Sequence, residues 1–138
     1  MSIDFHPKPG MVLMCDFSTG FKPPEMVKKR PVVVVSKPSQ QLVTVVPLST
    51  TEPIPIEKCH HEVPSRSLPK PLRNEKHWAK CDCVTTAAFW RLDRVKAGIH
   101  ATTGKRIYVT YSVYPEDLVA IQKAILHVLG LSHLIWPQ

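Results

Sequence analysis

The feature that most constrains the fold is the stretch "KKRPVVVVSK" (28–37), in which four consecutive valines follow three cations and a proline. Valine is stiff at its branched Cβ and favours extended backbone. An unbroken β-branched run, without polar alternation, fits a strand covered on both faces or closed into a barrel. Arg30 is the last charge before it. Taken alone, Arg30 is either an ordinary cation protecting a strand end or a group held there to meet an anion.

Around this strand the chain reads as one domain over residues 1–138, mostly β with one late helix. "GMVLMCDF" (10–17) and "QQLVTVVPLST" (40–50) have strand composition after turn signals. The intervening "STGFKPPEMVKK" (18–29) is rich in Gly, Pro and charge and is predicted to be a functional loop. Prolines at 53, 55, 64, 69 and 71 break regular structure between 51 and 77, leaving room for a short strand near "HHEV". Within it, "SRSLPKPLRNEK" (65–76) is basic and polar, so a Pro-rich basic arm is expected at 64–76. "HWAKCDCVTTAAFW" (77–90) resumes the apolar texture, and "RIYVTYSVY" (106–114) alternates like a strand, so an extra hairpin near 99–114 is expected, turning at "TTGK".

"PEDLVAIQKAILHVLGL" (115–131) is the clearest helix. Pro115 suits its first position, Glu116 and Asp117 its N-terminal dipole, and Gly130 its stop. Leu118, Ile121, Ile125 and Leu129 form one apolar stripe, and the Leu131 to Trp136 tail is apolar enough to pack. Several strands and one late helix predict a small, mostly antiparallel barrel with a helix laid against it.

Charge and cysteine content narrow the function classes. Lys and Arg number 18 against 11 Asp and Glu, a net charge of +7, which favours a polyanionic partner. No apolar run is long enough to cross a bilayer and the N-terminus lacks signal-peptide character, so a cytoplasmic protein is expected. Cys15, Cys59, Cys81 and Cys83 have no CxxC pairing and read as reduced thiols. Metal binding by Cys59, His60, His61, Cys81 and Cys83 lacks tetrahedral-site spacing, and no metal is expected. Histidine as a residue type suits acid–base chemistry near neutrality, but no motif assigns His60, His61 or His77 a role. Taken singly, Lys80 and Asp82 read as a surface ion pair and Ser49 as turn chemistry.

In order along the chain, "GMVLMCDF…PPEMVKKRPVVVVS", "VTVVPLST" and "AKCDCVTT", followed by the C-terminal helix, resemble the MazF/PemK toxin family of type II toxin-antitoxin systems. The resemblance implies an SH3-like, CcdB/MazF-type β-barrel that forms a homodimer and cleaves single-stranded RNA without a metal or other cofactor. It places Arg30 at the family's catalytic arginine, Ser49 at its catalytic Thr or Ser, and Lys80 and Asp82 at its "Arg-Cys-Asp" strand, with Glu25 at an acidic loop position. Spacing of two then sets Lys80 and Asp82 on one face of a strand. Lys in place of Arg at position 80 removes a planar donor fork. Glu25 would orient Arg30 or accept a proton.

Metal-free RNA cleavage needs a proton acceptor for the 2′-hydroxyl, a proton donor for the 5′ leaving oxygen and a cation for the developing charge, and these residue types can supply all three. A basic groove with flat side chains would hold the strand. Phe21, Lys22, Lys28, Lys29, Thr50, Arg66, Lys70 and Arg73 are the candidates for it, with Trp78 either a stacking surface or core. A separately encoded antitoxin with an acidic tail is the implied protein partner. The competing reading is a non-catalytic barrel that binds RNA or, CcdB-like, inhibits a topoisomerase. The 64–76 stretch and the 99–114 segment depart from the short family pattern.

Overall fold

The computed structural model describes residues 3–135. The valine run lies in β2 (Lys29–Ser36), which pairs antiparallel with β1 (Val12–Asp16) on one side and β3 (Leu42–Ser49) on the other. Val32, Val33 and Val34 are fully buried, so both faces of β2 are covered. β4 (His60–Val63), β5 (His77–Lys80), β6 (Thr85–Ala88) and β7 (Leu92–Asp93) complete a seven-stranded sheet ordered β4-β5-β3-β2-β1-β7, with β6 also on β3. The MazF-type class fits, but the expected barrel is open: among the described residues no pairing joins β4 to β7. β4 and β7, at the two ends of this order, are short, with four and two residues.

β5 and β6 form one interrupted strand. Leu48 to Val45 is three residues along β3, yet their partners Ala79 and Thr85 are six apart. The excess is taken up by the 3-10 turn Cys81–Cys83. Alternation gives the sheet two apolar faces. Val12, Val33, Val46, Leu48 and Ala79 belong to one cluster; Leu13, Cys15, Val32, Val34, Val43 and Val45 belong to the other.

The first face is covered by α1 (Pro115–Val128), through buried Ile121 and Ala124. Gly130, at φ 75°, ends the helix: its N–H donates to His127 O and that of Leu131 to Leu126 O, satisfying two terminal carbonyls. Leu129 therefore sits at the cap and is 59% exposed, so it leaves the apolar stripe expected of it. Leu131 and Ile135 are half-buried while Leu134 is exposed; Trp136 lies outside the described residues.

The 64–76 stretch is packed down rather than extended as an arm. It forms two 3-10 turns, Ser65–Ser67 and Lys70–Leu72, and Leu68 between them is fully buried in the helix-side cluster. Ser67, also fully buried, donates its hydroxyl to Asp117, and His61 Nε2 lies 3.1 Å from the other Asp117 oxygen. Asp117, read from sequence as a dipole residue, is the buried hub joining this stretch, β4 and α1. A separate hairpin, β8 (Val95–Ile99) with β9 (Arg106–Val109), turns through His100 to Lys105.

Candidate functional site

Strand register aligns the expected site residues only in part, because Ser49 faces Trp78 on β5 while Lys80 pairs with His60 of β4. Val32 of β2 faces Pro47 of β3, so two residues further on Arg30 comes beside Ser49. Ser49 faces Trp78 of β5, and Lys80 is two residues beyond Trp78. Even steps along paired strands keep side chains on one face, so Arg30, Ser49 and Lys80 share the face opposite α1. Arg30 also pairs with Cys15, a member of that face's cluster.

The loop 18–28 folds over this face. Phe17 is buried and Phe21 meets it edge-on, centroids 5.1 Å apart. The loop closes through Lys28, whose φ of 71° is left-handed and whose carbonyl accepts the Phe17 N–H at 2.8 Å. Arg30 is half-buried, and its Nε donates to Val27 O at 3.2 Å. That contact orients Arg30, not Glu25. Glu25 is exposed and accepts the Lys22 N–H at 3.3 Å; among the described residues no ion pair joins it to Arg30.

Glu25 and Asp82 nevertheless line opposite walls of one groove of about 380 Å³, with Phe17, Phe21 and Met26 on the loop side. Asp82 is exposed within the Cys81–Cys83 turn. Lys80 ends β5 and Asp82 lies past it, so strand alternation does not put them on one face as expected. The inserted turn carries Asp82 out of the strand. Ser49 is 7% exposed, and its Oγ accepts the Thr51 N–H at 3.1 Å, leaving the hydroxyl proton to donate elsewhere. Thr50 beside it is exposed, as are Lys22, Lys28 and Lys29.

Arg66 and Arg73 are not brought to this face. Arg66 stacks over Tyr114 and pairs with Glu116 at 3.4 Å, while Arg73 stacks over Tyr111 and donates to Leu68 O at 2.8 Å. Both serve the helix side of the sheet. Lys70, in the same stretch, is exposed. Trp78 is buried and so is core, not a stacking surface.

The histidines separate by environment. His77 is buried with Nδ1 3.1 Å from Glu75 O, and burial pushes its pKa below the ordinary histidine value. His61 belongs to the Asp117 hub. His60 lies with Cys59 and Asp82, their ligand atoms within 4.8 Å of one another. This grouping differs from the sequence expectation by including Asp82. His60 Nδ1 accepts the Glu57 N–H at 2.9 Å, which places the ring proton on Nε2 and occupies the lone pair a metal would need. The thiols of Cys15 and Cys81 are pushed up to about 12 by burial.

Sequence reasoning missed "FWRLDR" (89–94) and Tyr108. Trp90 is 63% exposed, and the Arg91 guanidinium lies over its ring at 4.4 Å and over Phe21 at 4.9 Å. An exposed Trp flanked by arginine was the available signal.

Residues 8–108 match the family described as PemK-like, MazF-like toxin of type II toxin-antitoxin system. The chain is 32% identical to the protein YifN of Escherichia coli (strain K12), covering 98% of this chain and 99% of that one. An endoribonuclease from a mycobacterial species superposes with a TM-score of 0.58 at 21% identity, covering 95% of each chain. MazF of Deinococcus radiodurans superposes with a TM-score of 0.61 at 18% identity, covering 92% of this chain and 99% of that one. In its complex with MazE the TM-score is 0.56 at 18% identity, with 94% and 100% covered.

Proposed function

The chain belongs to the PemK-like, MazF-like toxin family of type II toxin-antitoxin systems, and on that premise we propose that it is an endoribonuclease that cuts single-stranded RNA by attack of the 2′-hydroxyl on the adjacent phosphate, without a metal. What supports this reading is that β2 and β3 pair so that Arg30 and Ser49 fall on one face of the sheet, together with a separate groove lined by Glu25 and Asp82.

Arg30 supplies a permanent charge and a planar donor fork for the phosphate oxygens, and the Val27 carbonyl fixes its direction. The Ser49 hydroxyl donates to the same phosphate. A carboxylate of the groove, Asp82 or Glu25, accepts the 2′-hydroxyl proton. Lys80 gives a proton to the departing 5′ oxygen, so the products are a 2′,3′-cyclic phosphate and a 5′-hydroxyl. Lys22, Lys28, Lys29 and Thr50 are exposed, and the three lysines attract the strand. The protein acts in the cytoplasm as a homodimer, and a separately encoded antitoxin with an acidic segment covers Arg30.

The test is cleavage of a long unstructured RNA in EDTA by wild type and Arg30→Ala. Loss of a phosphate-stabilising donor lowers kcat by about 10²-fold or more. Wild-type protein that retards the RNA without cutting it, with Arg30→Ala changing only affinity, would assign the chain to a non-catalytic binder.

A further inference from the structure

A second groove lies between the "FWRLDR" stretch and the β8–β9 hairpin, a segment the family resemblance leaves unexplained. It has a volume of about 300 Å³ and is lined by Trp90, Arg91, Arg94, Lys96, Arg106 and Tyr108. Lys29 completes the wall, so five cations stand against the carboxylates of Asp16 and Asp93. Asp16 is committed to Ser18, which donates to it through both backbone and hydroxyl.

Trp90 is exposed, and Tyr108 and Phe21 are half-buried. Arg91 is fixed by donating to Asp16 O and Thr19 O, each at 2.9 Å, and stacks on Trp90 and Phe21. Arg94 lies over Tyr108 at 4.4 Å, joining the stretch to the hairpin. Cations interleaved with flat rings, at least one of them exposed, are what single-stranded nucleic acid requires: the charges follow phosphates and the rings accept bases. Phe21 also lines the Glu25–Asp82 groove, so the Phe21–Arg91 stack is the shared wall of the two grooves.

We infer that this groove is an extended binding track for the RNA strand, receiving nucleotides that flank the cut and setting how long a substrate must be. The inference rests on the reading that the chain cleaves RNA. An acidic protein segment is the competing occupant, but it has no use for Trp90 and Tyr108 as stacking platforms, and RNA uses both.

The test is binding of a 2′-O-methyl oligouridine, which 2′-hydroxyl attack cannot cleave, followed by fluorescence anisotropy over a salt series. Arg94→Ala with Arg106→Ala removes two phosphate contacts, and the slope of log K against log salt falls by about 1.4. Trp90→Ala weakens binding about tenfold, and Trp90→Phe restores most of it. In cleavage of a long RNA these changes raise KM and keep kcat. All are exposed side chains, and circular dichroism checks their folding. Wild-type affinity and salt slope in every variant would overturn the inference, as would variants that release a polyglutamate peptide yet hold RNA normally. Wild-type protein that binds through this groove and never cuts would instead sink the proposed activity and leave the track standing.

Discussion

Replacing Asp117 with Ala tests whether the 64–76 stretch is anchored. Asp117 accepts the Ser67 hydroxyl and lies 3.1 Å from His61 Nε2, and both Ser67 and Asp117 are buried. Ser67 Oγ still accepts the Tyr114 N–H at 2.9 Å, so the change orphans a buried donor, not the whole hydroxyl. Such an orphan costs about 1–3 kcal/mol and hydrogen bonds to a carboxylate contribute about 1.5–3 kcal/mol each. Removing a buried carboxyl offsets part of this, and a net loss of about 3 kcal/mol follows. With an unfolding entropy of about 290 cal/mol/K for a chain of this length, Tm falls by about 10 °C. Asp117→Asn keeps one acceptor and loses roughly half as much. Thermal unfolding followed by circular dichroism gives the shift, and limited trypsin digestion reports whether the bonds after Arg66 and Arg73 become cleavable at 25 °C. A Tm within about 2 °C of wild type, with no new cuts in 64–76, would refute the anchoring.

Two further outcomes follow from buried titratable groups. His77 has its pKa below the unfolded value of 6.5 because burial disfavours the cation, so its stabilisation is complete above about pH 6.5 and is lost as pH falls through the folded pKa. Urea unfolding at about pH 7.5 and about pH 5.5 should show a smaller loss for His77→Gln than for wild type; equal losses would contradict this. Cys15 and Cys81, pushed up to about 12, should react with iodoacetamide far more slowly than half-exposed Cys59 and Cys83. Peptide mass mapping reads the order, and equal labelling would contradict the burial.

What the sequence made legible is local. The β-branched run of β2, the proline start and glycine stop of α1, and the strand texture of β1 and β3 each declare themselves within a few residues. Glu25, Arg30, Ser49, Lys80 and Asp82 could be picked out as a set, but their arrangement depends on register. The pairing of Val32 with Pro47 is what puts Arg30 and Ser49 on one face of the sheet. Cys81–Cys83 reads as continuous strand because nothing in "AKCDCV" marks a turn. Its three extra residues become visible against β3, and they take Asp82 out of the strand. Polar composition misled at 64–76, where Ser67 and Arg73 look solvated until Asp117 and Tyr111 arrive from about 40 to 50 positions away. The Trp90 to Tyr108 groove was hidden for the same reason, since its two sides come from separate segments.

The most direct measurement is cleavage of one RNA and its twin carrying a single 2′-deoxyribose at the mapped cut, both in EDTA. The account predicts that wild type cuts the first to a 2′,3′-cyclic phosphate and leaves the second intact at that position, while Arg30→Ala cuts neither at a comparable rate. Continued cutting at the deoxy position would contradict attack by the 2′-hydroxyl and with it the roles given to Arg30, Ser49, Lys80 and the groove carboxylates.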